Sequence, residues 1–224
     1  TLYNNVLDTM DRQLGVLFDT IRQDNDLRNN TIIVFCSDNG PEQGAGIAGP
    51  LRGFKTMLYE GGIRSPLIVW GPGLIESKKA GTVNRTSFMA AIDLVPSLLA
   101  IAGVKAPKNV QFDGQSLEDV LTGRSERSRK GPVFFRRPPD RDANSGIDDL
   151  PDLAVREGEG KLLCEYDGSN AELYNLAADP AEERNMASEH PERVDRLTKA
   201  VIQWHRSMPP DLGATYGKKN KEKP

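Results

Sequence analysis

Residues 31–40 read TIIVFCSDNG, and the fold turns on how this stretch is understood. Positions 31–36 form an apolar run rich in β-branched side chains, set off by the polar segment 24–30, which is the signature of a short buried strand. Successive side chains of a strand point to opposite faces, so a strand apolar on both faces belongs in a sheet covered on both sides. Such sheets are usually parallel. The run ends at Asp38, Asn39 and Gly40, and open α/β sheets hold their ligands at that end of the strands.

On either side of the strand the chain keeps an α/β rhythm. Upstream, Tyr3, Val6, Leu7, Met10, Leu14, Leu17, Phe18 and Ile21 fall at three- and four-residue spacings, the stripe of an amphipathic helix lying on a core. Downstream, a second apolar run at 65–70 stops at Gly71-Pro72-Gly73. Residues 88–103 read as a helix ended by Gly103, and Pro96 suits its first turn if the helix proper starts near Asp93. Helix, strand, long loop, strand and helix make an α/β layer.

The pattern changes beyond Gly123. A charged connection leads to a candidate strand at 132–136, a polar loop at 138–151, and a hairpin of 153–156 and 161–166 about a turn at 158–160. An amphipathic helix at 192–205 follows. The expected organisation is an α/β segment over 1–125, a small antiparallel α+β subdomain over 126–212, and a disordered polar tail over 213–224.

Composition excludes several classes. The 224 residues are 38% hydrophobic and 27% charged with a net charge of −3, a globular balance that gives no reason to expect nucleic acid. No run approaches the roughly 18–20 apolar residues of a membrane span. Cys36 and Cys164 lie in no CxxC spacing, and Cys36 reads as a small buried thiol within the strand. The chain opens on Thr1, without a signal peptide, and looks cut from something longer.

Asp38 and Asn39 offer a carboxylate and an amide carbonyl, the oxygen donors preferred by Ca²⁺ or Mg²⁺. Two donors do not fill a shell of six to eight, so others must come from elsewhere. The same three residues are also a common turn sequence. The loop that follows carries Gly40, Gly44, Gly46, Gly49 and Gly53, which let backbone pass close to a ligand or another strand. It also carries Arg52, Lys55 and Arg64. Lys55 is a compact charge suited to a tetrahedral oxyanion, or else a solvated surface lysine. Glu60 is expected in a tight turn, paired with Arg52 or Arg64. A cation and a lysine facing one anion suit a sulfate or phosphate ester.

Several blocks, in order, carry a resemblance. Ser37-Asp38-Asn39-Gly40-Pro41-Glu42, Gly49-Pro50-Leu51-Arg52-Gly53-Phe54-Lys55 and Tyr59-Glu60-Gly61-Gly62-Ile63-Arg64-Ser65-Pro66 are followed by Trp70-Gly71-Pro72-Gly73, Asp93-Leu94-Val95-Pro96, Ala102-Gly103 and Asp113-Gly114-Gln115-Ser116-Leu117. Ala154-Val155-Arg156, Lys161-Leu162-Leu163, Glu172-Leu173-Tyr174-Asn175-Leu176 and Asp179-Pro180-Ala181-Glu182 continue the series. Together they resemble the C-terminal half of the type I sulfatases, arylsulfatase-like enzymes of the alkaline phosphatase superfamily. The nearest likeness is to bacterial carbohydrate sulfatases such as N-acetylgalactosamine-6-sulfatase.

The resemblance implies part of an alkaline-phosphatase-like α/β sandwich followed by the small subdomain. It implies that Asp38 and Asn39 are Ca²⁺ ligands and that Lys55 is a catalytic residue binding the substrate's sulfate. It implies a sulfated carbohydrate or aryl sulfate as substrate, and a periplasmic or secreted location. The family's nucleophile is a formylglycine made in a C/S-x-P-x-R motif. Neither Cys36 nor Cys164 stands in such a motif, so the chain by itself is expected to be inactive, its nucleophile lying in a preceding part. His190 and His205 read as structural or exposed. Arg136, Arg137 and the 138–151 loop are candidate contacts for an anionic sugar. Two alternatives stay open: a phosphate mono- or diester hydrolase of the same superfamily, whose histidine metal ligands have no counterpart near Asp38, or an inactive Ca²⁺-binding carbohydrate-binding protein.

Overall fold

The computed structural model describes residues 2–137 and 150–209. Most of the candidate sugar-contacting loop, 138–149, and the expected disordered tail lie outside the described residues. The chain forms two compact units that do not follow chain order. One comprises Thr1–Asp38 with Ser65–Gly131, the other Asn39–Arg64 with Pro132–Pro224. The cut expected near residue 125 followed composition; compactness instead groups the 39–64 segment with the C-terminal part.

The first unit opens with helix α1 (Leu2–Gln23) and the short α2 (Asn25–Asn30). The Asp24 carboxylate caps α2, accepting from the Asp26 and Leu27 amides at 2.9 and 3.0 Å, which satisfies donors left over at a helix start. Helix α1 matches the predicted periodicity, but it buries none of its residues. Tyr3, Val6, Leu7, Met10 and Leu17 of its stripe are exposed, so its expected core is not supplied by the described residues.

Strands β1 (Ile33–Cys36) and β2 (Leu67–Trp70) pair antiparallel, Ile33 opposite Trp70 and Cys36 opposite Leu67. This overturns the parallel expectation. Apolar residues on both faces report what a strand can bury, not the direction of its neighbour. Phe35, Leu67 and Ile68 remain exposed, and Cys36, expected to be buried, is exposed as well. A 3₁₀ turn at Ala91–Asp93 runs into the helix Leu94–Ile101, with Pro96 in its first turn as predicted. Asp93 fixes this junction: its carboxylate accepts from the Ala90 and Gln115 amides at 2.9 and 2.8 Å and pairs with Arg129 at 3.0 Å.

The second unit is built on a four-stranded antiparallel sheet in the order β3 (Val133–Arg136), β4 (Leu153–Glu157), β5 (Gly160–Cys164), β6 (Glu172–Asn175). The period of two divides its side chains between two cores. Leu153, Val155, Leu162, Cys164 and Leu173 face the closing helix (Pro191–Ser207), where Leu197 and Val201 meet them. Ala154, Leu163 and Tyr174 point the other way and pack on Leu58 and Tyr59 of the 39–64 segment. Strands β3 to β5 and the closing helix are as the sequence predicts. Strand β6 has only four residues and a polar start, too short a pattern to read as a strand from sequence. The rings of Tyr166 and His205 lie 4.9 Å apart, which gives His205 the structural place expected of it.

Truncating Leu197 to alanine removes packing at the centre of this core and is expected to lower stability by about 2–5 kcal/mol, seen as a lower urea midpoint at unchanged slope. Burial pushes the Cys164 thiol up to about 12. A thiol reagent at pH 8 should therefore modify exposed Cys36 in the native protein and reach Cys164 only after denaturation.

Candidate functional site

The 39–64 segment folds back on itself through backbone contacts. The Gly40 amide donates to the Gly62 carbonyl at 2.8 Å, Lys55 to Pro41 at 2.9 Å and Gly61 to Arg52 at 2.7 Å. A Cβ on Gly40 would lie 1.8 Å from the Gly61 carbonyl oxygen, and one on Gly61 would lie 2.4 Å from those of Arg52 and Gly53. These glycines therefore serve the approach of backbone to backbone, one of the two uses the sequence allowed.

The predicted residues fall as follows. Asp38 is exposed and closes its stretch of the first unit, while Asn39 is half-buried and opens the crossing segment of the second. Lys55 lies in the same unit as Asn39. Its ammonium pairs with Glu42 at 3.1 Å, with 43% and 61% of the two side chains exposed. A pair so exposed is worth little, so an anion can take the carboxylate's place at small cost. The next residue, Thr56, has φ +87°, a backbone region costly for a β-branched side chain. Backbone strain of this sort clusters at ligand-binding sites.

Glu60 does not pair with Arg52 or Arg64 as expected. It begins the short helix α3 (Glu60–Ile63) and is buried. Its carboxylate meets Lys161 at 3.0 Å and Arg156 at 3.3 Å. Glu182 completes the cluster, meeting Lys161 at 2.8 Å and accepting from the Glu60 amide at 2.6 Å. Only 0–1% of Lys161, Glu60 and Glu182 is exposed. Burial raises the Glu182 carboxyl above its ordinary range, and the Lys161 charge opposes that shift. Removing one member of such a cluster strands a buried charge, at a cost of about 3–5 kcal/mol.

Arg52 takes a different partner set. Its guanidinium lies over the Tyr59 ring at 3.7 Å, donates to the Tyr174 hydroxyl at 2.9 Å and to the Glu182 carbonyl at 3.2 Å, and pairs with Glu172 at 3.5 Å. The Tyr59 hydroxyl donates to Glu172 at 3.0 Å. Burial holds both tyrosine hydroxyls above their ordinary range, so they stay protonated as donors.

Sequence reasoning singled out neither Lys161 nor Glu182 as a site residue. The missed signal was a lysine in register with Leu163 on an inward face of a strand, where an unpaired charge is not tolerated.

For a cation, Asp38 and Asn39 supply two hard oxygen donors, the right kind for Ca²⁺ but too few for its shell. No group of three or more His, Cys, Asp or Glu side chains suited to a metal occurs among the described residues. The pair fits part of such a site.

The chain matches the family model "N-sulphoglucosamine sulphohydrolase, C-terminal" over residues 53–206 and the model "Sulfatase" over residues 1–104. It belongs to the sulfatases. A sulfatase of Formosa agariphila is 32% identical over 84% of this chain and 36% of its own length. The N-acetylgalactosamine-6-O-sulfatase of Bacteroides thetaiotaomicron is 28% identical over 88% of this chain and 40% of its own. A protein solved with its substrate D-glucosamine-2-N,6-O-disulfate superposes with a TM-score of 0.59 at 25% identity, covering 88% of this chain and 38% of that one. The fold is that of the sulfatase α/β domain with its small antiparallel C-terminal sheet. The chain thus spans well under half the length of these relatives.

Gly61→Ala forces a methyl group against two backbone oxygens, which have no rotamer to escape by. It is expected to destabilise the second unit by at least about 1–3 kcal/mol, measured as a lower thermal midpoint and faster proteolysis within 39–64.

Proposed function

We propose that this chain is part of a sulfuric ester hydrolase whose full-length form acts on a sulfated carbohydrate or an aryl sulfate. The observation that carries the reading is Lys55: a lysine on a tightly folded glycine loop, paired with an exposed carboxylate, in a chain of the sulfatase family. The N-acetylgalactosamine-6-O-sulfatase and the glucosamine-disulfate complex among its relatives support a sulfated sugar as substrate.

Lys55 exchanges Glu42 for the ester's sulfuryl oxygens and donates N–H bonds to them. The ammonium stabilises charge that grows on those oxygens as the S–O ester bond breaks. Asp38 and Asn39 provide two of the oxygen ligands of Ca²⁺, with Mg²⁺ the second choice. That cation, when bound, supplies Lewis-acid neutralisation of the sulfate. The nucleophile is a formylglycine that these 224 residues do not contain; the chain alone therefore hydrolyses no sulfate ester. The location is periplasmic or secreted, as in the family, and no helix among the described residues is long and apolar enough to cross a membrane.

In the full-length protein, Lys55→Ala is expected to lower kcat/KM on 4-nitrophenyl sulfate and on a sulfated monosaccharide by about 10²–10³-fold. Wild-type kcat/KM in that variant removes Lys55 from the mechanism. Asp38→Ala and Asn39→Ala are each expected to reduce bound Ca²⁺, measured by elemental analysis after dialysis, and unchanged metal content overturns their assignment.

A further inference from the structure

Two sequence blocks, Glu60-Gly61-Gly62 and Asp179-Pro180-Ala181-Glu182, are far apart in the chain yet meet at one buried lysine. Lys161 stands on β5 between the two carboxylates, 3.0 Å from Glu60 and 2.8 Å from Glu182. Glu182 also holds the Glu60 amide at 2.6 Å, and its carbonyl takes Arg52 at 3.2 Å. It does so from the left-handed region, at φ +55°, which a non-glycine residue adopts at a cost. The contacts to Arg52 and to Glu60 grip the 39–64 segment before and after Lys55. Within the segment, the Gly61 amide donates to Arg52, the Gly40 amide to Gly62 and the Lys55 amide to Pro41, with no space for a side chain on Gly40 or Gly61. The loop therefore has few ways to shift Lys55 without breaking a buried charge contact.

We infer that Lys161, with Glu60 and Glu182, is a positioning cluster by which the C-terminal sheet fixes the anion-binding loop and so sets the place of Lys55. For its effect on catalysis this inference rests on the sulfatase reading above. Lys161 touches no substrate; it acts through Glu60 and the backbone of residues 52–62.

The test compares full-length wild type with Lys161→Met and with the double variant Lys161→Met, Glu182→Gln, which keeps the shape and strands no charge because Glu60 stays paired with Arg156. Two measurements are made on each: inhibition by inorganic sulfate with KM and kcat on 4-nitrophenyl sulfate, and hydrogen exchange by peptide. In the folded double variant, exchange is expected to rise in 39–64 while β4, β5 and the closing helix stay protected. The inhibition constant for sulfate and KM should rise together by roughly tenfold to a hundredfold, the scale of a misplacement near 1 Å. A merely structural role predicts activity that falls with the folded fraction at an unchanged sulfate constant. Unchanged exchange in 39–64 or an unchanged sulfate constant in folded variant overturns the inference. If wild type neither turns over sulfate esters nor binds sulfate, the sulfatase reading fails, and hydrogen exchange alone still decides whether the cluster holds the loop.

Discussion

An ammonium group with no exposed surface is tolerated only where its charge is matched. Lys161 meets that condition through Glu60 and Glu182, and the second unit is organised around the result. The two carboxylates come from either side of the sheet strand in sequence: one from the loop that interrupts the first unit, one from the turn after β6. The constraint is local electrostatics, yet its consequence is topological. A segment that leaves the chain's first unit after Asp38 must lie against the sheet of the second, because only there does the Glu60 carboxylate find its partners.

Burial of apolar surface acts in the same direction. Leu58 and Tyr59, immediately before Glu60, pack on Ala154, Leu163 and Tyr174, while the opposite face of the sheet is closed by Leu197 and Val201. The apolar contacts supply most of the driving force. Directional bonds of the charge cluster and of Arg52 select one arrangement among the many that would bury similar area. A site lysine carried on such a segment gains its position from a sheet to which it does not belong in sequence.

Much was legible from the residues. The strand at 31–36, the helices at 2–23 and 94–101, the hairpin of β4 and β5 and the closing helix all follow from periodicity, caps and turn residues, which act within a few positions of the chain. Ordered motifs disclosed the family, and with it Asp38, Asn39 and Lys55 as candidates. Three readings went astray for a shared reason. The direction of β2 relative to β1, the exposure of Cys36 and the partners of Glu60 each depend on which segment lies beside which, and no local pattern encodes that.

Glu60 shows the division most clearly. By itself the sequence determined that a carboxylate heads a Gly-Gly turn next to a lysine-bearing glycine loop, because turn chemistry and spacing are properties of adjacent residues. Only the tertiary structure decided that this carboxylate turns inward to Lys161 and Arg156 instead of outward to Arg52 or Arg64. The nearby arginines are close along the chain, but Arg52 is held over Tyr59 and beside Glu172. The buried lysine, a hundred positions away in round terms, is the charge that cannot do without a partner, since a desolvated ion costs far more to leave unpaired than one still in water.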